Sequence, residues 1–162
     1  MAATSTNKQP LLVDHVLHYV VNLDDSVNNG MDVKGGNTAT LLVDSTNADG
    51  AIIEDVYLIA RPQASGNDFA VEYKVNLYLS TARDYLRPNE ARYVGGMTSA
   101  TTAKEIVRLE EMPKILAPVP QVAEQYNRAL YVPKGYALWA AVDTNIASIS
   151  GAPIIGVQGG WY

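Results

Sequence analysis

"VEYKVNLYLS", residues 71–80, carries the strictest alternation in the chain. Val71, Tyr73, Val75, Leu77 and Leu79 fall on one side, and Glu72, Lys74, Asn76 and Tyr78 on the other. A period of two belongs to an extended strand, and the apolar side is the one such a strand buries. The segment therefore reads as a half-buried antiparallel strand, and the rest of the chain is read outward from it.

Upstream, "AIIEDVYLIARP" (51–62) is a second apolar run. Ile52, Val56, Leu58 and Ala60 share one face, while Tyr57 and Ile59 on the other predict partial cover there too. "QASGNDF" (63–69) reads as a hairpin-like loop between these two strands. "TATLLVDS" (38–45) is a further strand, ended by the turn residues "TNADG". Downstream, "RYVGGMTSATT" (92–102) is a short strand running into a polar loop. "AKEIVRLEEMPKIL" (103–116) fits two periods: Ile106, Leu109 and Met112 make a helical stripe, whereas Val107 and Leu109 fit a strand. The strand is preferred. "APVPQVAEQYN" (117–127) is a connection with two prolines, and "PIIGVQGGWY" (153–162) is a closing strand.

The first 37 residues read as an extended arm and a loop. "LLVDHVLHYVVNL" (11–23) forms a long strand with Val13, Leu17, Tyr19 and Val21 on one face, followed by a stretch dense in Asp, Asn and Gly. Whether the arm packs on its own domain or on a neighbour is open. Residues 38–162 form the domain proper. Many short strands separated by turn residues predict an all-β fold, a jelly-roll-like antiparallel β-sandwich of about eight strands with an extended N-terminal arm.

"RALYVPKGYALWAAV" (128–142) is apolar on both faces of any strand it forms. Pro133 suits the second position of a type I turn and Gly135 the fourth. Beyond the turn, Tyr136, Leu138, Ala140 and Val142 share one face, and Ala137, Trp139, Ala141 and Asp143 the other. One face fills the sandwich. The second needs cover as well, because Trp139 stands between two alanines. Another layer of the same chain, such as the 11–23 arm, or a symmetry mate supplies it.

Composition limits the function. The 162 residues suffice for one domain with a sizeable core, and 48 % of them are hydrophobic against 18 % charged. A net charge of −5 without any Lys/Arg run argues against nucleic acid and against an anionic membrane surface. With no cysteine, disulfides, thiolate chemistry and Cys-based zinc sites are excluded. No apolar stretch has the pattern of a secretory signal or the length of a membrane span, so synthesis in a cytoplasm is expected.

Catalytic patterns are equally absent, and the expectation is a protein that is not an enzyme and has no cofactor. "DSTNADG" (44–50) offers Asn47, Asp49 and Gly50 at calcium-loop spacing, but that register puts Val56 where the bidentate Glu belongs. It reads as a turn. His15 and His18 are the only histidines, and on a strand they face opposite sides, so they share no metal. No Gly-x-Ser-x-Gly elbow or phosphate-binding Gly loop occurs. What stands out instead is ten Tyr and two Trp against one Phe. Such aromatics suit interfaces, although half-exposed strands favour Tyr as well. Tyr131, Tyr136, Trp139, Trp161, Tyr162, His15 and His18 are the interface candidates.

The run "LYVPKGYALWAAVDTN" followed by "IIGVQGGWY", with the earlier "DVYLIARP…VEYKVNLYLSTA", resembles the small jelly-roll domains of capsid cement (decoration) proteins of tailed bacteriophages, over roughly residues 38–162. The resemblance implies a homotrimer on the outer surface of a virion, bound to the major capsid protein and clamping neighbouring capsid subunits. Two other readings remain: a carbohydrate- or receptor-binding module stacking sugars on Tyr131, Tyr136 and Trp139, and a ring-forming neck or tail adaptor.

Overall fold

A computed structural model describes residues 15–23, 39–61, 72–84, 86, 89–109, 130–142 and 153–162. These residues form nine strands and no helix: β1 His15–Asn22, β2 Ala39–Asp44, β3 Gly50–Ile59, β4 Lys74–Ser80, β5 Arg92–Thr98, β6 Ile106–Arg108, β7 Leu130–Pro133, β8 Ala137–Val142 and β9 Ile154–Trp161. All pairings are antiparallel. One sheet has the order β1-β9-β3-β6, with β7 also on β3; the other has the order β2-β8-β4-β5. Strands β6 and β7 lie along the same side of β3, one against Tyr57–Ile59 and the other against Gly50–Ile53. Nine strands thus occupy eight positions, and the two sheets make a β-sandwich.

Chain neighbours rarely pair. Only β4 and β5 are consecutive in sequence and bonded in one sheet. Strands β3 and β4 lie in opposite sheets, so the expected hairpin between them does not form; the 63–69 stretch itself is outside the described residues.

The core is made by inward positions of both sheets. Ile53, Val56, Leu58, Leu130, Val132, Ile155 and Val157 come from the first sheet and meet Val43, Tyr73, Val75, Leu77, Leu138, Ala140 and Val142 on the second. Each large aliphatic buried this way contributes about 1.5–3 kcal/mol. In β1, Leu17 and Val21 face this core, as their spacing predicts. Val13 is outside the described residues.

Three expectations need correcting. In β3, Ile53 and not Ile52 enters the core, because a bulge between Ile53 and Asp55 shifts the alternation by one residue. The 71–80 strand is not half-buried: from Val75 to Ser80 every residue is buried. The cause is a second, smaller cluster on its outer side, where Tyr78, Leu86, Ala137, Trp139 and Ala141 pack together. Leu86 and its neighbour Ala82 belong to the β4–β5 connection, so that connection is the layer covering the sheet.

The third correction concerns Pro133. The Tyr136 amide donates to the Pro133 carbonyl at 3.0 Å, so Pro133 opens the turn and Gly135 holds its third position. There φ is +81°, which a type II turn demands and glycine supplies without strain. Buried Ser45 fixes this turn against the β2–β3 connection. Its amide donates to the Tyr136 carbonyl at 3.0 Å, and its hydroxyl, with one proton to give, lies within hydrogen-bond reach of the carbonyls of Pro133 and Tyr136.

Of the ambiguous 103–116 stretch, Ile106–Arg108 is a strand, and residues 110–116 lie outside the described residues.

Candidate functional site

The expected aromatic candidates do not converge. Trp139 is only 4 % exposed and faces outward from the second sheet, under the β4–β5 connection. Its indole N–H donates to the Ala82 carbonyl at 3.1 Å. Neither the arm nor a symmetry mate is its cover: β1 belongs to the other sheet, paired with β9. Tyr131 lies on that other sheet, and Tyr136 follows the 133–136 turn. The three rings are therefore not one stacking platform. Trp161 packs against the core from the end of β9. Tyr162 stands edge-on to Tyr131, centroids 6.0 Å apart. Burial, and then the neighbouring Tyr131 phenol, push the Tyr162 hydroxyl above the usual phenol range. Its carbonyl and amide tie it to Asp49 and Gly50.

His15 and His18 face opposite sides of β1, as expected of a strand. His18 turns outward, with Nε2 3.3 Å from the Tyr57 hydroxyl. Between them lies Gly156, where a Cβ would sit 2.1 Å from the Tyr57 ring. The missing side chain lets the Tyr57 ring lie across β9.

That outer face is the surface that most needs explanation. The register places its side chains in rows across the strands. One row is Asn22, Ile154, Ile59 and Ile106; the next is Val20, Gly156, Tyr57 and Arg108; a third holds His18, Gln158 and Asp55; the last is Val16, Gly160, Ile52 and Tyr131. Val16 is 82 % exposed, Ile106 52 % and Val20 47 %. Asp55 is paired with Arg108. The face is thus largely apolar, its polar part being Asn22, His18, Gln158, the Asp55–Arg108 pair and the exposed Glu54 at the bulge.

The sequence carried the signal for this face in Val16, Val20 and Ile106. Each is a single apolar residue whose direction depends on register, which the sequence alone does not give.

The 44–50 stretch is a turn, as read. Asp44 accepts from the Thr46 amide at 2.9 Å and from the Thr46 hydroxyl, and Arg83 lies 3.1 Å away. Burial pushes the Asp44 carboxyl up, but Thr46 and the Arg83 guanidinium outweigh it and hold it below the ordinary carboxylate range. Asp49 is engaged by Lys134 at 2.7 Å. Among the described residues no group of three or more His, Cys, Asp or Glu could hold a metal ion. Among the described residues no helix is long and apolar enough to cross a membrane.

No protein-family model, curated protein or solved structure matches the chain significantly.

Proposed function

We propose that this protein is a non-enzymatic structural component of a virion, a capsid cement protein whose sandwich is a jelly roll. Support for the jelly roll is the sheet order: β1-β9-β3-β6 faces β2-β8-β4-β5, the interleaving that two Greek keys give when eight strand positions are wound together. The observation that carries the functional reading is the outer face of the β1 sheet. A largely apolar surface with Val16, Val20 and Ile106 exposed suits contact with another protein surface. Cement proteins work by such contacts. They bury surface only in the assembled shell and so favour that state, with affinity multiplied by symmetric repetition.

On this reading the partners are other copies of the chain, with three as the number that the resemblance implies, and the major capsid protein. The site of action is the capsid surface, after synthesis in the host cytoplasm. The sugar-binding alternative gains no support, since Tyr131 and Trp139 lie on different sheets.

The test is peptide mass spectrometry of virus particles purified from the source culture, read beside light scattering of the isolated chain. Stoichiometric amounts on intact particles support the cement reading. Absence from particles, or a protein that stays monomeric and binds no capsid, overturns it.

A further inference from the structure

A sandwich of this kind has four sheet edges, and three of them carry devices that stop another strand from adding. Strand β2 has a bulge between Leu41 and Val43 and ends on Asp44. Strand β5 begins with Arg92, contains Gly95 and Gly96, and is offset against β4. The shared β6/β7 edge consists of pieces three and four residues long, carrying Arg108 and Pro133. Short edges, charges, prolines and bulges are the means by which native sheets prevent edge-to-edge pairing.

Strand β1 has none of them. "HVLHYVVN" is eight residues long, contains no charge, Pro or Gly, and runs in unbroken register with β9 from His15–Trp161 to Asn22–Ile154. Among the described residues no strand pairs with its other side. His18, on the outer face, reaches across the sheet toward Tyr57 and away from that edge. At its far end the pairing with the β9 side continues for one more bond, from the Leu23 amide to the Pro153 carbonyl.

We propose that the open edge of β1 pairs with β1 of a second copy, antiparallel, across a two-fold axis at His18. The sequence fits itself. Antiparallel partners must share parity if core-facing side chains are to stay on the core side. In "VLHYV" (16–20), one such register overlays the segment on its own reverse. His18 then faces His18 of the partner subunit, Val16 faces Val20 of the partner subunit, and Leu17 faces Tyr19 of the partner subunit. Each chain carries a net charge of −5, and β1 is an uncharged strip along which two such molecules meet without opposing charges. The result is one sheet running through both molecules, with the apolar outer face doubled in extent. The proposal rests on the self-associating part of the function proposed above and is independent of its virion part.

Light scattering of the intact chain with and without Val16→Lys/Val20→Lys tests it. Both side chains are exposed, so the variant keeps its fold, checked by circular dichroism and melting temperature. A two-fold contact closes on two chains, or on six if a separate three-fold contact also forms. A mass of two or six times 17.5 kDa, halved by the lysines, supports the pairing. A wild-type monomer or trimer, or a mass unchanged in the variant, overturns it.

Because the chain has no cysteine, His18→Cys gives a second, independent readout with a short bismaleimide. Crosslinked dimer from His18→Cys, but not from Tyr93→Cys at an exposed position on the other sheet, is expected. Equal yields from both, or none from His18→Cys, overturn the register. Neither assay depends on whether particles carry the protein, so this proposal and the capsid reading fail separately.

Discussion

The indole N–H of Trp139 donates to the carbonyl of Ala82, 57 residues earlier in the chain. Through this bond the β4–β5 connection is held down on the outer side of β8, and a strand apolar on both faces becomes a central strand buried on both. Replacing the ring removes the bond and the packing against Tyr78 and Leu86 together. Trp139→Ala therefore costs about 3–5 kcal/mol of folding stability, read as a lower urea midpoint. Trp139→Phe keeps most of the packing and costs less. An unchanged midpoint with weakened association would instead make Trp139 an assembly residue.

Gly135 sits at φ +81° with open space where a Cβ would stand. The penalty for a side chain here is purely one of backbone conformation. Gly135→Ala should destabilise by about 1 kcal/mol, and Gly135→Asn by less, because Asn tolerates the left-handed region better. Equal melting temperatures for all three proteins would show that the turn does not hold this conformation in solution.

Ser45 is fully buried, and its hydroxyl lies within reach of two carbonyls in the 133–136 turn. Ser45→Ala leaves the Pro133 carbonyl short of that donor in a site with little water, at a cost of about 1–3 kcal/mol. Amide hydrogen exchange should rise first at Tyr136, whose amide closes this turn on Pro133, and at Gly135, whose amide donates to the Ser45 carbonyl. Exchange that rises evenly over the sandwich would contradict the local role.

Acid should loosen the same end of the molecule. The folded state holds the Asp44 and Asp49 carboxyls below their ordinary values, the latter through the hydrogen bond and charge of Lys134. A group whose pKa is depressed by folding stabilises fully above its unfolded value, near 3.9 for Asp. That contribution fades as pH falls through the folded value. Lys134, raised by the same pair, contributes below its unfolded value and loses the contribution as pH rises through the folded one. Both groups of the Asp49–Lys134 pair are well exposed, so their share is small and salt-sensitive. Asp44→Asn should flatten the stability profile below about pH 4, measured by urea titration at each pH. An identical slope in the variant would remove Asp44 from the account.

The strands were legible because alternation reports burial directly: Leu17 and Val21 in β1, and Val75, Leu77 and Leu79 in β4, all face inward as their spacing demands. Two errors have a common origin. The bulge at Ile53 turns Ile52 outward, and the β4–β5 connection covers Tyr78, whose hydroxyl marks it as wet in the sequence; Asn76 is buried too, beside Gly96 of β5. Local pattern records neither a one-residue slip nor a layer brought in from elsewhere in the chain. The candidate site was less legible still. Large aromatics drew attention to Trp139 and Tyr136, whereas the surface that calls for a partner is made by Val16, Val20 and Ile106. What singles these out is their common side of one sheet and the lack of edge protection, and both are properties of topology.

Strands β6 and β7 share one side of β3, yet 20 residues of sequence separate Leu109 from Leu130. Across the sheet, the interval from Tyr57, opposite Arg108, to Ile53, opposite Leu130, is only about 13 Å at the usual rise per residue. The chain therefore departs from an edge and rejoins it within a short step, without altering any pairing on either side. Because both anchor points are fixed on β3, a segment of another length between them still lets β6 and β7 pair as they do. For an engineer, this interval is the natural place to splice in a passenger peptide.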